Sequence, residues 1–184
     1  MTKKELAQLA INALRDLYPE AKCSLVANKP YELLMATRLS AQCTDKRVNM
    51  VTKDLFKQLP TLESIATADI AVIENLIKSC GLYKTKARDL KNMANELLDR
   101  FDGIVPDTIE ELTTLSGVGR KTANLIVGDI YGKPSVVVDT HCIRITNRIG
   151  LASGTDPKKL EFDLKKILPP KESGDFCHRI VQFG

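Results

Sequence analysis

At 184 residues, with 43% hydrophobic and 27% charged side chains, the sequence has the proportions of a soluble globular protein. A chain of this length buries roughly 70% of its unfolded surface, enough for a core without disulfide or metal staples. No apolar run is long enough to cross a bilayer, and Met1-Thr2-Lys3-Lys4-Glu5 lacks the apolar stretch of a secretory leader, so the expected location is cytoplasmic. The net charge of +4, from 27 basic and 23 acidic residues, permits a polyanionic partner without requiring one.

Five cysteines, Cys23, Cys43, Cys80, Cys142 and Cys177, are scattered and form no Cys-x-x-Cys pair. Neither a disulfide framework nor a zinc site is indicated, and they are expected as small, buried or half-buried apolar side chains in a reducing compartment.

In chain order the pattern is helical. Pro30 suits a first helical position, ahead of Leu33, Leu34 and Ala36. Thr44 can cap a helix carrying Val48, Val51 and Leu55 that ends at Pro60. From Lys84 to Phe101, Ala87, Leu90, Ala94, Leu97 and Phe101 mark one helical face, closed by Gly103. Asp107, three residues before Glu110, has capping-box spacing for a short helix through Thr114. A helix from Arg120 to about Tyr131 follows. Val136-Val137-Val138 is too short to stand as a strand and reads as a buried extended connector. Asp139 or Thr140 can cap a helix bearing Ile145 and Ile149; Asp156-Pro157 opens another with Leu160, Leu164 and Ile167 inward, stopped at Pro169-Pro170. About ten short helices make an all-α protein. The helical series breaks near Lys133-Pro134, which predicts a six-helix lobe of residues 24–133 and a second lobe of residues 1–23 plus 134–184.

The stretch that carries chemistry is Leu115-Ser116-Gly117-Val118-Gly119-Arg120-Lys121-Thr122-Ala123. Gly117 and Gly119 allow a tight hairpin with bare backbone amides, and Val118 between them can anchor it in the core. Amides at a helix start suit a phosphate group, giving a grip on a nucleic-acid backbone that reads no bases. An ordinary glycine turn between helices explains the same pattern. Lys121 lies in the first turn of the next helix, where the helix dipole disfavours a cation by at most about 2 kcal/mol. Burial or neighbouring cations such as Arg120 must supply the rest before the amine is held neutral as a nucleophile for imine chemistry. The other reading of Lys121 is a phosphate contact without a covalent role. Asp139, delivered by the apolar connector, can stabilise a developing positive charge or move protons, or serve only as a helix cap. His141 is read as a structural residue of the helix start.

Four segments, in this order, resemble the helix-hairpin-helix DNA glycosylases across essentially the whole chain. They are Leu39-Ser40-Ala41-Gln42-Cys43-Thr44-Asp45, Gly81-Leu82-Tyr83-x-x-Lys86-Ala87, Leu115 to Ala123, and Val138-Asp139-Thr140-His141 with Arg144-x-x-Asn147-Arg148. The resemblance implies an all-α, two-lobed fold with the active site in the cleft between the lobes. It implies damaged double-stranded DNA as the partner, no membrane, a monomer, and a place on the nucleoid if the source is bacterial. It also implies a flipped nucleotide, extruded at a cost of a few kcal/mol. By the same resemblance Gln42 fills the vacated space and Leu82 is the apolar wedge in the opposite strand. From the residues alone these are a loop glutamine and a buried leucine after a helix-ending glycine. Gly117, Val118, Gly119 and Arg120 match the family's backbone-binding hairpin.

A lysine at position 121 matches the branch that both removes the base and cuts the strand. It implies attack on the sugar C1′, an imine at Lys121, and β-elimination, with Asp139 as the essential acid. Ring-saturated or fragmented pyrimidines such as thymine glycol are the implied lesions. The competing reading is a non-catalytic DNA-binding module using the same hairpin.

The family also carries a [4Fe–4S] cluster, on four cysteines that follow the segment matching His178 to Gly184. Those four are absent from this sequence, and the five present do not reproduce the spacing, so no metal or other cofactor is expected on these residues.

Overall fold

The computed structural model describes residues 1–184, all of them in helices, turns or irregular connections and none in a strand. The helices are α1 (Lys3–Leu17), α2 (Pro30–Leu39), α3 (Asp45–Gln58), α4 (Leu62–Thr67), α5 (Ile70–Leu76), α6 (Tyr83–Phe101), α7 (Ile109–Leu112), α8 (Arg120–Asp129), α9 (Thr140–Arg148), α10 (Pro157–Ile167) and α11 (Ser173–Phe183), with a 3-10 turn at Pro170–Glu172. No helix is long and apolar enough to cross a membrane. The chain forms two compact units, Ser24–Ile126, and Met1–Cys23 with Val127–Gly184. The seam thus falls inside α8 rather than at Lys133-Pro134. Helical hydrogen bonding continues past it, and Val127, itself buried, accepts from the Lys133 amide at 3.2 Å.

In the Ser24–Ile126 unit, α6 is the central element and packs against α2, α4 and α5. Its expected apolar face is buried at Ala87, Leu90, Ala94 and Leu97, joined by Met93 and, unexpectedly, by Lys86. The helix ends where Asp102 (φ 51°) and Gly103 (φ 75°) turn left-handed, and the Gly103 amide donates to the Leu97 carbonyl at 2.9 Å. That closure satisfies a carbonyl the helix end would otherwise leave open. Thr44 caps α3 by accepting from the Arg47 amide, and Val48, Val51 and Leu55 point inward as their spacing predicts.

One expected cap moves. Thr108, not Asp107, caps α7: its hydroxyl accepts from the Glu111 amide at 3.3 Å and donates to the Glu111 carboxylate at 2.7 Å. Asp107–Glu110 and Thr108–Glu111 share the same spacing. The later start places Leu112, fully buried, in the core. The helix also ends at Leu112, before Thr114.

The other unit buries Ala7, Ile11 and Leu14 of α1 with Val136, Val138, Cys142, Ile145, Leu160, Leu164, Phe176, Cys177 and Ile180. Val136-Val137-Val138 is a connector without regular secondary structure, with Val136 and Val138 buried as expected. Asp156 caps α10 through the Lys159 amide at 2.9 Å, with Pro157 next. Cys80, Cys142 and Cys177 are buried, Cys23 and Cys43 half-buried.

Candidate nucleic-acid interface and catalytic residues

The hairpin between α7 and α8 is held from below. Leu115 and Val118 are buried, and Val118 donates its amide to Leu115. Glu96 of α6 accepts from the Ser116 amide and hydroxyl, each at 2.7 Å. Hydrogen bonds to a charged acceptor are worth roughly 1.5–3 kcal/mol, so the hairpin is a fixed part of its unit.

Its two glycines serve different needs. Gly117 has φ +72°, and a Cβ there would sit 2.7 Å from Arg38 Nε and 2.9 Å from Asp89 Oδ2. Arg38 donates to Asp89 at 2.7 Å from Nε and 2.6 Å from its terminal nitrogen, so this ion pair fills the space. Gly119 has no unusual φ, and an added Cβ would meet nothing within 4 Å. No contact within the protein explains a glycine there, whereas an outside group approaching the backbone would. The Gly119 carbonyl accepts the Ala123 amide at 2.9 Å as α8 begins. First-turn amides of a helix have no intrahelical carbonyl and favour an anion.

Lys121 projects from that same first turn and is exposed. The folded chain therefore does not supply the exclusion of water expected for it. Arg120 beside it is half-buried.

Gln42 and Leu82 are brought close in the same unit. Both are exposed, and both are left-handed, at φ 55° and φ 60°. Leu82 is 58% exposed, which removes the reading of a buried leucine. Gly81 lies beside the Gln42 loop: a Cβ on it would be in ordinary contact with the Gln42 carbonyl, at 3.5 Å. A left-handed non-glycine residue costs roughly 1–2 kcal/mol, so two in adjoining loops need a cause outside local preference.

Sequence reasoning missed what lies under these loops. Lys86 is fully buried, with Nζ donating to the Leu39 carbonyl at 2.8 Å and the Ala41 carbonyl at 2.6 Å. Burial pulls its ammonium below the ordinary lysine range, and Arg38 adds to the effect. The sequence did carry a signal: Lys86 stands four residues before Leu90, on the apolar stripe of α6.

In the other unit Asp139 is the α9 cap, with Oδ1 accepting from the Cys142 amide at 2.7 Å. The carboxylate is half-buried. Capping occupies one oxygen, and a carboxylate has two.

Four of the five cysteines sit as two thiol pairs, Cys43 with Cys80 and Cys142 with Cys177. Burial and the bond to Cys43 push Cys80 up to about 11, and the bond to Cys177, with burial, pushes Cys142 far up. No group of three or more His, Cys, Asp or Glu side chains is placed to hold a metal ion. A [4Fe–4S] cluster needs four thiolates together, so these residues do not fit one.

Comparisons with known proteins agree with the all-helical fold. The family described as HhH-GPD superfamily base excision DNA repair protein matches residues 35–170. The chain is 43% identical over 184 residues to Endonuclease III of Synechocystis sp. (strain ATCC 27184 / PCC 6803 / Kazusa), covering 100% of this chain and 84% of that protein. It is 36% identical over 178 residues to Endonuclease III of Bacillus subtilis (strain 168), covering 96% and 81%. Among solved structures, a trapped Endonuclease III–DNA covalent intermediate matches with TM-score 0.94 and 39% identity over 100% of this chain and 86% of that one. A thermostable thymine-DNA glycosylase shares the fold at TM-score 0.85 and 20% identity, covering 97% and 86%. With a family match over most of its length and a relative aligned from end to end, this chain belongs to the HhH-GPD superfamily of base excision DNA repair proteins.

Proposed function

We propose that this protein is a base-excision-repair DNA glycosylase with associated AP lyase activity, removing oxidised pyrimidines from double-stranded DNA through an imine at Lys121. The observation that carries the reading is Lys121 itself, an exposed lysine in the first turn of α8, directly after a hairpin whose Gly119 faces open space. The similarity to an Endonuclease III trapped covalently on DNA supports it.

The chemistry follows from the residue types. The hairpin amides hold a phosphate and fix the backbone without reading sequence. A flipped nucleotide places C1′ against the Lys121 amine, with bound DNA excluding the water that the free protein admits. The amine attacks C1′, the bond to the base breaks, and the sugar ring opens to an imine. Loss of a C2′ proton then expels the 3′ oxygen and cuts the strand, and hydrolysis of the imine frees Lys121. Asp139, read as the essential acid, moves protons in these steps and offsets positive charge on the sugar. Gln42 fills the space left by the flipped nucleotide, and Leu82 enters the stack on the other strand. The residues present call for no metal in these steps. The reading takes a single chain acting in the cytoplasm or on a nucleoid.

The test is borohydride trapping on a thymine-glycol duplex. A covalent complex is expected, and it is lost in Lys121→Ala while binding to abasic DNA remains. Salt-sensitive binding to any duplex, with neither trapping nor incision, would instead leave a non-catalytic DNA-binding module.

A further inference from the structure

We propose that Lys86 is a positioning residue whose buried ammonium locks the loop carrying Gln42 to the loop carrying Leu82, so that both are presented to the duplex as one rigid probe. The inference rests on the reading of those two residues as the ones that enter the DNA.

Lys86 closes α2 from outside. Leu39 is the last residue of α2, and its carbonyl, which has no amide ahead of it in the helix, accepts from Lys86 Nζ at 2.8 Å. A cation at the negative end of a helix is favoured there. The second bond, to the Ala41 carbonyl at 2.6 Å, fixes the peptide plane immediately before Gln42, whose φ is 55°. The backbone of Lys86 acts on the other loop: its amide donates to the Leu82 carbonyl at 3.0 Å, one turn into α6, fixing the peptide that follows the left-handed Leu82. One residue thus grips the peptide preceding Gln42 with its side chain and the peptide following Leu82 with its main chain. Gly81 shows how near the two loops run, since a Cβ on it would be in ordinary van der Waals contact with the Gln42 carbonyl, at 3.5 Å. An ammonium buried among carbonyls is retained where it is fully hydrogen-bonded, and charge-assisted bonds of this kind are short and directional. Neither Gln42 nor Leu82 is buried, so packing does not hold them in place.

The test compares Lys86→Met, which keeps the unbranched stem and removes the ammonium, with Gln42→Ala and Leu82→Ala in the full chain. Two substrates separate entry into the duplex from chemistry. A thymine-glycol duplex must be opened; a single-stranded abasic oligonucleotide has no partner strand and reports the Lys121 imine by borohydride trapping. Lys86→Met is expected to slow single-turnover base release from the duplex by about 10-fold or more, as displaced positioning groups do, and to trap single-stranded abasic DNA at the unsubstituted rate. Equal losses on both substrates signify a general loss of fold and overturn the inference, as do unchanged rates on both. The double variant Lys86→Met/Gln42→Ala is expected to be no slower than the slower single variant; multiplied losses overturn action through the Gln42 loop. Unchanged duplex release in both Gln42→Ala and Leu82→Ala refutes the reading of those residues instead, whatever Lys86→Met does. Should Lys86→Met not fold, hydrogen exchange on the unsubstituted protein decides. The amides of Cys43, bonded to Ser40 at 3.1 Å, and of Lys86 are expected to open in one cooperative step, and separate openings overturn the coupling.

Discussion

The Arg38 guanidinium occupies the volume that a side chain at Gly117 would need, at 2.7 Å from the position of its Cβ. The hairpin glycines are therefore separable by experiment. Gly117→Ala combines a left-handed cost of roughly 1–2 kcal/mol with overpacking of about 1–3 kcal/mol, so a loss of at least about 2 kcal/mol is expected in urea denaturation. Gly119→Ala meets no atom of the protein and is expected within about 0.5 kcal/mol of the unsubstituted chain. Duplex affinity should nevertheless fall, because the methyl stands where a phosphate approaches. Unchanged affinity in a stably folded Gly119→Ala would remove the hairpin from the interface.

Asp139 combines a cap and a proposed acid, and two substitutions divide them. Asn caps a helix about as well as Asp, so Asp139→Asn is expected to keep stability within about 0.5 kcal/mol. Its base-release rate should drop about 100-fold or more, the scale of a lost proton carrier. Asp139→Ala should add a stability loss of about 1 kcal/mol to the same rate defect. A full rate in Asp139→Asn would reduce the residue to its cap.

Leu82 is exposed and left-handed, so its side chain contributes little to the fold. Relief of about 1–2 kcal/mol of backbone cost in Leu82→Gly is largely offset by the greater freedom of glycine in the unfolded chain, about 1 kcal/mol. The variant is expected to melt within a few degrees of the unsubstituted protein while losing base release from duplex DNA. A large drop in melting temperature would mean that the residue is structural.

His178 of α11 is joined to Asp129 at 2.8 Å, and that bond raises the imidazole above its ordinary value despite partial burial, with Asp175 adding to it. A group raised in the folded state stabilises fully below its unfolded value, about 6.5, and that contribution is lost as pH rises through the folded value. Urea denaturation from pH 5.5 to 8.5 is therefore expected to show a stability decline above about pH 6.5 that is absent in His178→Gln. Identical pH profiles for the two chains would show that the pair contributes nothing.

Much of the fold was legible because its signals act within a turn or two. The α6 stripe, the Thr44 and Asp156 caps and the Val136–Val138 connector depend only on neighbours a few residues away, and each was found where the pattern placed it. The α7 cap slipped by one residue because two overlapping pairs, Asp107–Glu110 and Thr108–Glu111, offered the same local bond. The Gly117-Val118-Gly119 hairpin and Lys121 were likewise legible as residue types in a short order. What the sequence by itself could not determine was the set of partners from distant segments: Arg38 with Asp89 beneath Gly117, Glu96 beneath Ser116, and Lys86 reaching the carbonyls ahead of Gln42. Such bonds leave no period in the sequence, since their energy depends on burial and geometry that exist only once the chain has folded. A lysine on an apolar stripe was the visible trace of one of them. Tertiary structure alone decided that it would be buried, and that two residues in left-handed loops would stand together above it.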